Sequence, residues 1–203
     1  MVQISASRTR PRAHGRREAK RAEILRRAGA AFRERGFHGA AMRDIAAALK
    51  MTPGNLYYYF QSKDDLLYFC QKQALTRLLA GARKILSDGL PPQIRLRELV
   101  QAHVLCLLEE TGGSAAHLEF RALPGPRRAE IAAHRDEYER LVRRVVRDGV
   151  RDGSFRRVDA KLATLAILGA VNSTVVWWRP DGRKEPGAIA QAFADTLVGG
   201  LLP

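Results

Sequence analysis

Apolar residues recur along this chain at helical spacing and almost nowhere at the two-residue spacing of a strand, so the fold class it dictates is all-α. Ile24, Ala28, Ala31 and Phe32 share one face of a first helix, which Gly36 is placed to end. A short second helix is expected over about 42–49, with Ile45, Ala46 and Leu49 inward. Thr52 caps a third that runs to about Tyr59, with Pro53 at its first position, where a missing N–H costs nothing. Ser62 caps a fourth, with Asp64 and Asp65 near the positive end of its dipole. Its apolar line runs through Leu67, Cys70, Ala74, Leu78 and Ile85 until "SDGLPP" stops it.

Longer helices follow. One carries Leu96, Leu99, Val100, His103 and Leu107 and is closed by "TGG"; a short one lies around 115–122, and "PGP" precedes a long helix bearing Tyr138, Leu141, Val142, Val145 and Gly149. "RDGSF" ends that helix, Asp159 caps the next, and a last helix follows Pro186. The organisation expected is a disordered basic arm over 1–15, a three-helix head over 16–62 and a helical body over 63–203. The apolar run Leu162–Trp178 is short for a membrane span and is interrupted by Thr164, Asn172, Ser173 and Thr174, so a helix buried in a bundle or dimer interface is expected there.

Charge separates the two parts. Residues 1–90 hold 18 Lys/Arg against 7 Asp/Glu, whereas residues 91–203 hold 17 against 14, within a total of +14. A positive field concentrated in the head favours a polyanion over an evenly basic surface. The arm arginines Arg8, Arg10, Arg12, Arg16 and Arg17 either enter a minor groove or supply non-specific phosphate contacts, the second being the favoured reading. Cys70 and Cys106 sit in apolar periodic runs without metal-ligand spacing, as reduced buried thiols do in a reducing cytoplasm, and no secretory h-region opens the chain.

Two short helices joined by the turn "LKMT", after a longer first helix, make a helix-turn-helix unit. In "MTPGNLYYYFQSKDDL" three consecutive tyrosines cannot all be core, because neighbouring helical residues point about 100° apart. Leu56 and Phe60 are expected inward, on Ile45, Phe32 and the fourth helix. Tyr57 and Tyr58 then point outward, where a ring lies on sugar or a thymine methyl and a hydroxyl reaches phosphate. Gly54 lets the backbone approach DNA, Thr52 and the first amides form a phosphate corner, and Lys63 clamps flanking backbone.

The stretch from Gly36-Phe37 through Ile45-Ala46, Thr52-Pro53-Gly54-Asn55-Leu56-Tyr57, Tyr59-Phe60 and Ser62-Lys63 to Leu66 resembles the DNA-binding signature of the TetR family of transcriptional regulators. The resemblance implies a DNA-binding head, a ligand-binding and dimerising body, and repression of a palindromic operator on double-stranded DNA, relieved by a small molecule. By position it places the DNA contacts on Met42, Arg43, Thr52, Gly54, Asn55, Tyr57, Tyr58 and Lys63. Two departures stand out: Ala41 replaces the usual Thr or Ser cap, with Arg43 able to supply the contact, and Lys50 replaces the turn glycine, which implies a left-handed non-glycine residue.

A weaker resemblance, carried by Trp177-Trp178-Arg179-Pro180 and the last helix, is to members controlling fatty-acid or sterol breakdown, and it implies an acyl-CoA effector. The last two helices, with Gly169, Ala170, Gly199 and Gly200, suit a homodimer bundle. Candidate ligand residues are His103, Phe120, Tyr138, Asn172 and Trp177, although packing roles for His103, His117 and at least one tryptophan are the simpler expectation. The arginines 143, 144, 147, 151, 156 and 157 have acidic neighbours and read as a solvated ion-pair face before a receiver for CoA phosphates. Neither metal spacing, a nucleophile–base group nor a Walker loop is present, so no metal, cofactor or enzyme activity is expected. The reading is a cytoplasmic homodimeric repressor without membrane attachment. Its alternatives are an activator or drug-responsive regulator of the same fold and, from another class, a helical acyl-CoA or lipid carrier on anionic membrane.

Overall fold

A computed structural model describes residues 10–110 and 115–203, all helix and connection, with no strand among them. The helices are α1 (Arg10–Gly39), α2 (Met42–Ala48), α3 (Pro53–Tyr59), α4 (Lys63–Ser87), α5 (Pro92–Leu105), α6 (Gly125–Asp152), α7 (Ala160–Trp177) and α8 (Pro186–Gly199). A π turn, Cys106–Glu110, prolongs α5, and a 3-10 segment, Ala115–Ala122, precedes α6. The irregular arm expected over 1–15 is corrected from residue 10, where α1 already begins. Arg8 and the side chains of Arg10, Arg12, Ala31 and His117 lie outside the described residues.

The ends of the helices follow local chemistry. The hydroxyl of Thr52 accepts from Asn55 N–H at 3.2 Å, that of Ser62 from Asp65 N–H at 3.0 Å, and the carboxylate of Asp159 from Lys161 and Leu162 N–H at 2.7 and 3.0 Å. Each satisfies amides that have no partner inside the helix. Gly36 breaks α1 at φ 69°, one turn before its end, and Gly153 closes α6 at φ 82°. Both are left-handed conformations that favour glycine.

Two apolar cores result. The head core joins Ile24, Ala28, Phe32, Phe37, Met42, Ile45, Leu49, Leu56 and Phe60 to Leu66, Leu67 and Leu75 of α4, and draws in Leu123 and Ile131 from beyond the 62/63 boundary. The body core joins Ala74, Leu78 and Ala82 of α4 to Leu96, Leu99, Val104, Tyr138, Val142, Val145, Ile167, Val171, Trp178, Ile189 and Val198. Burying a side chain of this size contributes roughly 1.5–3 kcal/mol, so leucine- and phenylalanine-rich stripes hold each layer.

A polar ladder stitches the two along α4 and α6. The Arg127 guanidinium meets the Asp65 carboxylate at 2.6 Å and lies 4.9 Å over the Tyr68 ring. The Tyr68 hydroxyl donates to Glu130 at 2.6 Å, and Lys72 reaches Glu130 at 2.8 Å. Lys72 and Tyr68 together hold the Glu130 carboxyl below its usual value.

α7 is the one helix among the described residues long and apolar enough to cross a membrane. Thr164, Ile167, Val171, Thr174 and Val175 pack it inward, while Leu162, Val176 and Trp177 stay exposed on its outer side. α7 is thus packed into the bundle along one side and open along the other.

Candidate nucleic-acid interface and sensor cavity

The head presents α3 at its surface. Leu56 and Phe60 are sealed at 0% exposure, whereas Tyr57 and Tyr58 are 50% and 64% exposed, so the aromatic run divides between core and surface. Tyr59 sits between, edge-on to Tyr58 with ring centroids 5.1 Å apart. Thr52, Pro53, Gly54 and Asn55 form an exposed helix start. The guanidinium of Arg17 lies 5.1 Å over the Tyr58 ring, a contact from α1 that sequence reasoning missed and that puts a cation beside the exposed phenol. Lys50 takes φ 54°, so the left-handed turn falls on a lysine, as its position implied.

The other departure is compensated in part. Ala41 has no side-chain acceptor, yet the Asp44 carboxylate accepts from Ala41 N–H at 3.2 Å, half of a capping box. Arg43 projects into solvent with its side chain 83% exposed.

Two expected DNA contacts are corrected. The Met42 side chain is buried in the head core, since positions 42, 45, 46 and 49 form one inward helical stripe. The Lys63 ammonium donates to the carbonyls of Phe37 and His38 at 2.7 and 3.1 Å and rests 4.6 Å over the Phe37 ring. It thereby closes the end of α1 after the Gly36 break instead of standing free for a phosphate.

In the body a cavity of about 360 Å³ opens between α4, α5, α6 and α7. Leu75, Leu78, Leu165, Leu168 and Gly169 form its apolar walls, and His103, Arg135, Asp136, Tyr138, Glu139 and Asn172 its polar ones. A smaller space of about 110 Å³ lies behind Leu78 and Tyr138. Three sequence candidates therefore converge: His103, Tyr138 and Asn172. Two do not, and are corrected. Phe120 packs on the head core under the Arg135 guanidinium, 4.6 Å from its ring, and Trp177 stacks on Phe193 at 6.1 Å on the outer face. Trp178 is core.

The His103 ring stands perpendicular to Tyr138 at 5.2 Å, and burial, aided by the charge of Arg135, pushes its pKa down to about 3. It is a neutral imidazole at any ordinary pH. Sequence reasoning missed Arg135 and Glu139, although they flank Tyr138 on the same helical stripe as Val142, where charges interrupt an apolar face. Arg143 and Glu139 pair at 3.5 Å, and Arg151 and Asp148 at 3.2 Å, as the ion-pair reading of that face expects. No group of metal-ligating side chains occurs among the described residues.

A helix-turn-helix head with bared tyrosines, joined through shared helices to a cavity-bearing helical body, is the architecture of a DNA-binding transcriptional regulator. Residues 24–68 match the family described as bacterial regulatory proteins, tetR family, and residues 89–201 the tetracyclin repressor-like C-terminal domain. The chain belongs to the TetR family, whose members are transcriptional regulators, not enzymes. It is similar to the HTH-type transcriptional repressor KstR2 of Rhodococcus jostii (strain RHA1), with 27% identity over 91% of this chain and 92% of that one. Among solved structures, the TetR-family regulator PfmR from Thermus thermophilus superposes with a TM-score of 0.77 at 33% identity, over 89% of this chain and 99% of that one. AibR in complex with isovaleryl coenzyme A and operator DNA superposes at 0.72 with 28% identity, over 91% and 98%. Regulators of this family bind operator DNA and form dimers.

Proposed function

We propose that this chain is a cytoplasmic homodimeric repressor that holds a palindromic operator and leaves it when an acyl-CoA thioester occupies the body. The observation that carries the reading is that α4 and α6 both line the cavity and both grip the head. Leu75 and Leu78 of α4, with Arg135, Tyr138 and Glu139 of α6, face the cavity. On the same helices, Asp65–Arg127 and Tyr68–Glu130 tie the body to the N-terminus of α4, directly after α3. A ligand that favours one α4–α6 arrangement thus biases the pose of the recognition helix. Two heads enter successive major grooves about 34 Å apart, with Arg43, Thr52, Gly54, Asn55, Tyr57 and Tyr58 toward the duplex. The similarity to AibR, solved with isovaleryl coenzyme A and operator DNA, supports the ligand class.

The test is fluorescence anisotropy on labelled DNA from upstream of the chain's own gene. Tyr57→Ala and Tyr58→Ala should each weaken binding, and isovaleryl-CoA should release the wild-type protein. Linkage requires the operator to weaken acyl-CoA binding by the same factor. Acyl-CoA affinity that is equal with and without operator overturns induction, and undiminished DNA binding by both tyrosine variants overturns the contacts.

A further inference from the structure

On α3 successive side chains turn by about 100°, so Gly54 and Tyr58 lie nearly opposite the buried Leu56 and form the helix's outermost line. The Tyr58 ring stands largely in solvent, and Tyr59 meets it edge-on with centroids 5.1 Å apart. α1 brings the guanidinium of Arg17, itself exposed, to 5.1 Å from the centroid of that ring. One turn on, Arg21 lies 4.0 Å over Phe69 and 5.2 Å over the sealed Phe60. α1 therefore lays two cations along the aromatic run, and Arg17 is the one at its exposed end. No carboxylate among the described residues pairs with Arg17.

Stacking holds a guanidinium by its flat face and leaves the N–H groups of its fork, which lie in that plane, free to donate. A pair of phosphate oxygens is the acceptor such a fork fits, and phosphates flank any groove that α3 enters. Lys63, the cation expected on the flanking backbone, is engaged by the Phe37 and His38 carbonyls; Arg17 is held by a ring alone and keeps its donors.

We infer that Arg17 binds a backbone phosphate at the edge of the groove that α3 enters, and that the Tyr58 ring is the platform that orients it. The inference rests on the operator reading above and adds to it a contact from α1 and a positioning role for Tyr58, exerted through its ring and not its hydroxyl.

The experiment is fluorescence anisotropy of the full-length protein on the labelled upstream DNA and on a scrambled duplex of equal length, from about 50 to 300 mM KCl. Arg17→Ala should weaken binding to both duplexes at least about 10-fold and lower the slope of log K against log salt by about 0.9 for each copy in the dimer. Tyr58→Ala removes no charge, yet it should lower the slope as well, because the guanidinium loses its platform. Tyr58→Phe restores the ring and should recover the slope and most of the affinity lost in Tyr58→Ala. Arg17→Ala added to Tyr58→Ala should cost little more than either change alone. Arg144→Ala, which removes an equal charge from the exposed face of α6, measures what net charge does by itself. Both Arg17 and Tyr58 stand in solvent, so their variants should unfold at the wild-type Tm. A slope in Arg17→Ala no lower than in Arg144→Ala overturns the phosphate contact, as does a loss confined to the upstream DNA, which marks base reading. A wild-type slope in Tyr58→Ala, or Tyr58→Phe as weak as Tyr58→Ala, overturns the platform. If the wild type binds neither duplex, the operator reading fails and this inference with it.

Discussion

His103 lies 4% exposed in the cavity wall, where burial and the nearby Arg135 charge oppose a proton on its ring more than the neighbouring Asn172 amide favours one. The unfolded chain takes up a proton near pH 6.5 and the folded chain only near 3, so the unfolded state binds more protons between those values. Stability is therefore intact above pH 6.5 and falls on acidification through that window, by about 1.4 kcal/mol per pH unit from this group. Replacing the ring by a non-titrating one, His103→Phe, should flatten the decline. Denaturant midpoints of both proteins from pH 7 to 5 check it: parallel slopes would mean the imidazole is not held neutral. The same residue marks a limit of sequence reading. A lone histidine on an apolar stripe announces burial, but which side chains meet it is decided by helices far apart in sequence.

At the scale of elements, helix ends were legible because capping is local. Thr52, Ser62, Asp159, Gly36 and Gly153 act within a few residues of themselves, and each does what its type and position imply. Met42 was misplaced because a family pattern carries position without side-chain direction, although its own 42, 45, 46, 49 period pointed inward. Lys63 was misplaced because its partners, the Phe37 and His38 carbonyls, are reached only through the head's tertiary packing. The cavity was the least legible part, since α4, α5, α6 and α7 each give it a few residues and none carries its outline. The turn between α2 and α3 offers a direct check of backbone strain. Lys50 is exposed at φ 54°, a region disfavoured by a Cβ. Lys50→Gly should stabilise the protein by about 0.5–1 kcal/mol, the relief being partly offset by the freer unfolded chain. Thermal unfolding measures this, and a lower Tm would place a compensating contact on the lysine.

Across the whole molecule, the outer face of α7 leaves apolar side chains in solvent, with Leu162 66% and Val176 58% exposed. In a dimeric family this face suits the second copy, and two recognition helices must be held together to read a palindrome. Leu162→Glu should leave the monomer fold intact, because the side chain is already in solvent. It should also shift sedimentation toward a single chain and weaken operator binding at least about 10-fold. A variant that stays dimeric would move the interface off this part of α7.

The two cores interleave on α4, where Ala74 belongs to the body and its neighbour Leu75 to the head, and Leu123 and Ile131 return to the head from farther along the chain. A hybrid regulator made by grafting residues 1–62 onto a foreign body would leave behind Leu66, Leu67, Leu75, Leu123 and Ile131, and with them the floor on which the reading helices rest. If the proposed contacts hold, changing the DNA preference calls for rewriting the exposed positions of α3 in place, since a cut at 62/63 divides the head core.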